Sequence, residues 1–386
     1  MKNIFYILIV LGVFFAGICM CTNLKESNVD VFEIDIDKSK QINFTEWFDS
    51  IQIVPLETND NSLIGLLFGS SFVVKDNLIY IFDRKTQSIL IFDNNGKFIK
   101  NTSHLRGQGP NEYTVIERFD IDDLTGNLLI LSPPSKMLIY NTDLESVNGY
   151  DISNELWPTN DFKQISDDIC LFYNSNYDDD EQVNVFSIKE NKIIKKIGLI
   201  EMGGEAKKMV SSRNHNFYEN DGILCIKTSF PDNKIYYYDS IKVDLFPKIE
   251  FKIKQNAFYA ANLIKGQELQ YYRGIVGSSD KYAFIFEILE SKSYYFLTIL
   301  YREKFYFNRY DKETGENQVI DYQFLDGSYF CIPILVENNV LYTFLTESEI
   351  HQFIEHSKYL SEKYKDLLEN ISEDDNPYIV KYFIKD

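Results

Sequence analysis

Apolar and polar residues alternate along most of this chain in short runs, broken at intervals by turn-forming Asn, Asp and Gly. The segments KDNLIYIFD, TGNLLILS, SDDICLFY, NDGILCIK, SDKYAFIF and ENNVLYTF each place a polar turn before a strand of aliphatic and aromatic residues. Their turns centre on Asn77, Asn127, Asp168, Gly222, Lys281 and Asn339. A two-residue period marks a half-buried strand, and β-branched and aromatic side chains fit a pleated surface. The turns recur every 41–59 residues, near the roughly 40–50 residues of a four-stranded propeller blade. Six regular hairpins with no amphipathic helix between them argue against a βαβ sheet.

A second element follows in most units: an aromatic-rich strand ending in Asp or Asn and a turn. It reads ILIFDNNGK (Ile89–Lys97), MLIYNTDLE (Met137–Glu145), KIYYYDS (Lys234–Ser240) and FNRYDKETG (Phe307–Gly315), with VFSIKENK (Val185–Lys192) as a degenerate copy. Asn95-Gly96 supplies the positive backbone angles of a tight hairpin. The two elements give each unit four strands, A to D. In the first they are Ser71–Val74, Leu78–Asp83, Ser88–Asp93 and Phe98–Ser103. The expected fold is all-β: a six-bladed β-propeller of four-stranded antiparallel blades. In the last unit a helix over 347–371, with Phe353, Leu360, Tyr364, Leu367 and Ile371 on one stripe, interrupts the blade. Asn376-Pro377 stops it, and Tyr378–Lys385 reads as strand C. The missing strand D falls to the lone N-terminal strand Ser50–Glu57, which seals the ring and removes two exposed edges.

The first residues carry an address rather than structure. Lys2, an apolar run from Ile4 to Ile18, and Cys19-Met20-Cys21 read as a secretory signal over 1–21, too short for a membrane span. Cys21 or Cys19 is the candidate lipid attachment point, so membrane contact is expected through an N-terminal lipid only. A tether and lead-in segment over 22–45 precedes a single propeller domain, 46–386. The expected location is the cell envelope, as an outer-membrane lipoprotein or in the periplasm. Cys170, Cys225 and Cys331 sit in apolar strand-like stretches and read as small core residues. No pair has metal-ligand spacing, so neither a metal nor another cofactor is expected. The run Asp178-Asp179-Asp180-Glu181 lacks the spaced ligands of a calcium loop and reads as a solvated connection.

Charge narrows the partners. With 39 Lys+Arg against 58 Asp+Glu the net charge is −19, which excludes a general nucleic-acid binder. The 30 Phe and 27 Tyr are expected to pack blade against blade.

The cysteine-bearing start, the segment IQIVPLETNDNSLIG (Ile51–Gly65), the loop GQGPNEY (Gly107–Tyr113) and the closing strand resemble the six-bladed β-propeller lipoproteins of Gram-negative bacteria. The C-strand turns are similar to NHL-type propeller repeats. The resemblance implies a fold and an address but no catalytic residues.

In the A-to-D order, the D–A and B–C connections leave one face of the disc, and the A–B and C–D turns leave the other. Polar residues of the D–A loops are expected to converge on the channel: His104, Arg106, Gln108, Glu112 and Tyr113 between blades one and two, Arg213 and His215 before blade four, and Tyr272 and Arg273 before blade five. The arginine forks suit carboxylates or sulfates, so Arg106, Arg213 and Arg273 are candidate ligands of a saccharide, a peptide or a small anionic molecule. The competing reading has each arginine pairing with a neighbouring carboxylate such as Glu112 or Asp326 and only pinning loops. No Ser-x-Asp box or nucleophile elbow occurs, and no catalytic residue is assigned. A binding or scaffold module, with an envelope protein as a further candidate partner, is therefore expected over an enzyme. The alternative is a polysaccharide lyase or hydrolase in the channel with His215 as base.

Overall fold

The computed structural model describes residues 29–386 apart from 68–71, 175–180, 200–214, 229–231, 256–281 and isolated positions. Six sheets carry a blade each. Blade one comprises Phe72–Lys75, Leu78–Asp83, Ser88–Asp93 and Phe98–Asn101. Blade two comprises Arg118–Ile121, Leu128–Ser132, Lys136–Tyr140 and Ser146–Asp151. Blade three has Asp161–Gln164, Ile169–Tyr173, Val183–Ser187 and Lys192–Ile197. Blade four has Phe217–Asn220, Ile223–Thr228, Lys234–Asp239 and Asp244–Ile253. Blade five has Phe284–Glu290, Tyr294–Tyr301, Lys304–Asp311 and Asn317–Asp321. The sixth joins Leu335–Glu337, Val340–Leu345 and Tyr378–Ile384 to the N-terminal strand Phe48–Pro55. This is the six-bladed propeller that the alternation predicts.

Turn chemistry explains where the blades fold back. Asp76-Asn77, Asp221-Gly222 and Asn338-Asn339 all have positive φ at both positions, the twist that antiparallel neighbours need and that Asn, Asp and Gly tolerate. The fifth hairpin differs from expectation. Phe284–Glu290, just after Lys281, is the inner strand of blade five rather than its second, and the A–B turn is Ser291–Ser293. Both strands are equally apolar and this turn lacks Gly and Asn, so alternation alone could not order them. Arg302 and Glu303 likewise adopt positive φ without turn-forming side chains.

The ring is closed by the chain's two ends. Phe48–Pro55 pairs with Tyr378–Ile384, Ile53 opposite Val380. The Pro55 carbonyl then presses on blade one at Gly96 (φ 84°), where a Cβ would lie 2.0 Å from that oxygen. The lead-in segment is more than a tether. Asp30–Ile34 adds as a fifth strand to the outer edge of blade four, parallel to Ile249–Ile253. Phe32 stacks on Tyr310 of blade five at 4.1 Å between ring centroids. Its partner lies more than two hundred residues on, so no local signal announces it.

Aromatic side chains fill the seams between blades, as expected. Trp47, fully buried, meets Phe296 of blade five together with Phe324 and Phe330. The expected single helix is two, Glu347–His356 and Glu362–Glu369. Phe353, Leu360 and Leu368 are buried against blades five and six, with Tyr364 and Leu367 half-buried beside them; Ile371 lies outside the described residues. Cys170, Cys225 and Cys331 are free and buried. Among the described residues no helix is long and apolar enough to cross a membrane.

Candidate functional site

The six inner strands surround a channel of about 390 Å³. Most of them are only three or four residues long, so alternation sends one or two side chains per blade to the axis. In several blades one of these is charged: Lys75, Asp120, Lys163. Such charges survive burial only when paired. Lys163 Nζ lies 3.0 Å from Asp120 and 2.7 Å from Asp123, and Lys75 Nζ lies 2.7 Å from Asp123. Burial pushes the Asp120 carboxyl up despite Lys163. At Asp123 burial acts the same way, but Lys163 and Lys75 together outweigh it and hold the carboxyl below its ordinary value. Burial is likewise outweighed at Lys163, whose two carboxylate neighbours raise it.

At the D–A end of the channel stands His215. Its Nδ1 is 3.2 Å from Asp161 Oδ1, and its Nε2 is shielded from solvent with no hydrogen-bond partner among the described residues. Asp161, 1 % exposed, also accepts the backbone N–H of Asn216 and Phe217. Burial favours its neutral form, but His215, Arg118 and these donors hold it below the usual carboxylate range.

The other end carries a ring of carboxylates. Every A–B turn, or the end of the inner strand that leads into it, contributes: Asp76, Asp122 with Asp123, Asp167 with Asp168, Glu219 with Asp221, Glu290, and Glu337. Lysines stand among them: Lys292 in the blade-five turn, and Lys75 and Lys163, both paired with Asp123. Glu219, Asp221 and Asp167 make no ion pair among the described residues. Burial near these neighbours pushes Glu337 up, with Lys75 acting against it. Glu290 is fully buried and accepts from Lys248 at 2.9 Å, Lys312 at 2.7 Å and Asn220 at 2.7 Å.

Of the residues expected at the channel, the structure brings His215 to it. Arg213, Tyr272 and Arg273 lie outside the described residues, as do Cys19, Cys21 and Asp178–Asp180. The GQGPNEY loop runs outward instead. Arg106 donates to the carbonyls of Thr114 and Thr86, both at 3.3 Å, and is exposed with His104 and Gln108. Glu112 accepts from the Gly109 N–H at 2.8 Å, and a Cβ on Gly107 would lie 1.9 Å from Glu112 Oε2. Tyr113 is fully buried and bonds Thr102, while Lys136 of blade two holds the carbonyls of Gly109 and Glu112. The loop clasps blade one to blade two because its donors find their acceptors at the B–C corners, away from the axis. Sequence reasoning missed Lys75, Asp120, Asp123 and Lys163. Their signal is a charge inside a short apolar inner strand, as in Phe119-Asp120-Ile121 and Phe162-Lys163.

The profile of a family described as a domain of unknown function, DUF4934, matches residues 26–383. The chain belongs to the DUF4934 family. A search of curated protein sequences returns no match. Among solved structures it is similar to a Bacteroides fragilis protein described as exported, with TM-score 0.72 and 18 % identity over 92 % of this chain and 100 % of that one. It also resembles a member of the DUF4221 family from Bacteroides vulgatus, at TM-score 0.52 and 12 % identity over 88 % and 97 % of the two chains. At these identities the likeness bears on the fold.

Proposed function

We propose that this DUF4934 protein is an exported binding module of the cell envelope that holds a cationic group of its ligand over the carboxylate-ringed mouth of its channel. The observation that carries the reading is the carboxylate at or beside every A–B turn around the channel mouth. Carboxylates outnumber lysines in the lining, and an excess of one sign of charge concentrates ions of the other. On this reading the ligand approaches the face opposite the expected arginine loops, and a peptide with ammonium or guanidinium groups is favoured over a small anion or an acidic saccharide. The signal-like start with Cys21 or Cys19, and the likeness to a protein described as exported, support an envelope address with a lipid at the N-terminus.

The test is calorimetric titration of the chain lacking residues 1–21 with oligolysine and with oligogalacturonate, in low and high salt. Oligolysine is expected to bind, to weaken as salt rises, and to weaken further in a Glu219→Gln, Asp221→Asn variant. Binding of oligogalacturonate without oligolysine would sink the reading and return attention to the arginine loops.

A channel enzyme is the second reading, favoured by His215. With Nδ1 held by Asp161, an unpartnered Nε2 is an available proton acceptor. A lyase or hydrolase of this kind loses turnover with His215→Gln while oligolysine binding persists.

A further inference from the structure

The carboxylate ring does not end at the channel. A trough of about 720 Å³ runs outward from the mouth across blade three, between blades two and four, and shares Asp123, Leu124, Lys163, Glu219 and Gly222 with the channel lining. Its floor is the A–B and C–D ends of blade three, including Ile165 and Ile188. Its walls bring Leu129, Val147 and Tyr150 from blade two and Leu224 and Tyr238 from blade four.

The lip is the unusual part. Leu124, at the tip of the blade-two A–B turn, is 95 % exposed, and Val147, near the start of strand D of blade two, is 55 % exposed; both line the trough. Ile241 in the blade-four C–D turn and Ile223 at the start of strand B of blade four, outside the lining, are 94 % and 45 % exposed. Leu124 has no positive φ that would restrict the choice of residue, so a polar side chain would serve its turn equally well. Single exposed apolar residues are ordinary, but Leu124 and Val147 continue the apolar walls of one concavity, and such a patch marks an interaction surface. Two of the unpaired carboxylates, Asp167 and Glu219, border the same trough.

We infer that this trough receives an extended segment of a partner protein in which lysine or arginine alternates with large apolar side chains. The inference rests on the cationic-ligand reading above and narrows it from any cation to a basic, apolar peptide. Charge complementarity selects the basic groups, and the lip and walls select the apolar ones. Crossing a blade from inner to outer strand spans three inter-strand spacings, about 14 Å, which an extended chain covers in roughly four or five residues. Alternate side chains of such a segment point to opposite sides, so one set meets the apolar trough while the other meets the carboxylates.

The test uses two peptides of equal length and charge, Lys-Leu-Lys-Trp-Lys and Lys-Ser-Lys-Ser-Lys, titrated calorimetrically into the chain lacking residues 1–21. The first is expected to bind at least tenfold more tightly. A Leu124→Ser, Val147→Ser variant, altered only at exposed positions, is expected to remove that tenfold advantage and leave binding of the serine peptide unchanged. Glu219→Gln with Asp221→Asn is expected to weaken both peptides. Equal binding of the two peptides, with no effect of the serine substitutions, overturns the trough and leaves the acidic mouth standing. No binding of either peptide overturns both. A dimer in sedimentation that Leu124→Ser, Val147→Ser converts to monomer also overturns it, because a second copy is then the occupant.

Discussion

Removing the indole of Trp47 tests how the ring is held shut. This residue ends a one-turn helix, Phe44–Trp47, directly before the strand that completes blade six. Its ring packs edge-on against Phe48, Phe296, Phe324 and Phe330. Nε1 donates to Gln318 Oε1 of blade five at 2.7 Å, and the Arg309 guanidinium lies 5.6 Å from the ring. An aromatic side chain buries roughly 150–250 Å², worth about 4–6 kcal/mol at ~25 cal/mol per Å². Core truncations of this size cost about 3–5 kcal/mol when measured. Trp47→Ala should therefore destabilise the protein by about 4 kcal/mol. Trp47→Phe keeps most of the ring and leaves Gln318 Oε1 still paired with Arg309 Nη2 at 2.9 Å, so its cost should be near 1 kcal/mol. Urea unfolding followed by far-ultraviolet circular dichroism is the assay, because Trp47 is one of only 2 tryptophans and its loss changes the fluorescence signal itself. If the alanine variant loses less than about 1.5 kcal/mol, or if both variants lose equally, packing of Trp47 between blades five and six is not what secures the closure.

Two buried charges yield further predictions. Lys381 is 2 % exposed, and burial pushes its pKa down to about 8. The unfolded chain therefore binds more protons between about pH 8 and 10.5, so stability should rise with pH through that window. Lys381→Met should be more stable than the parent at pH 7, by at most about 3 kcal/mol, with the advantage fading above pH 10; melting temperatures across pH 7–11 read this. At Glu290 burial raises the carboxyl, but Lys312 and Lys248 outweigh it and hold it below its ordinary value. Its contribution is thus present above the unfolded-state value and lost as pH falls through the lower folded one. Glu290→Gln should cost roughly 3 kcal/mol at pH 7 and less in acid, measured by urea midpoints at pH 7 and pH 4.

Several features were legible in the residues before any coordinates. Asn77, Gly222 and Asn339 announced their hairpins because tight turns need positive φ, a local requirement met by local side chains. The joining of Phe48–Pro55 to Tyr378–Ile384 followed from counting strands, since one unit lacked a fourth and one strand lacked a hairpin. Local chemistry is silent at Ser291–Ser293, which turns without Gly or Asn, and so the strand order of blade five is not legible from alternation.

The candidate site was far less legible. The arginine loops were expected at the axis because D–A connections lie near it in any propeller, yet Arg106 is drawn outward by carbonyls of Thr86 and Thr114. Lys75, Asp123 and Lys163 meet because three successive blades converge at the channel, a proximity between residues 40 to 88 positions apart. Alternation and turn preference act over a few residues, and they are enough to specify the repeat, the strand character and the closure. Which charges share the channel, that Leu124 and Val147 border one trough, and that Asp30–Ile34 straps blade four depend on the tertiary fold. Those are contacts between distant segments, set by the geometry of the closed ring.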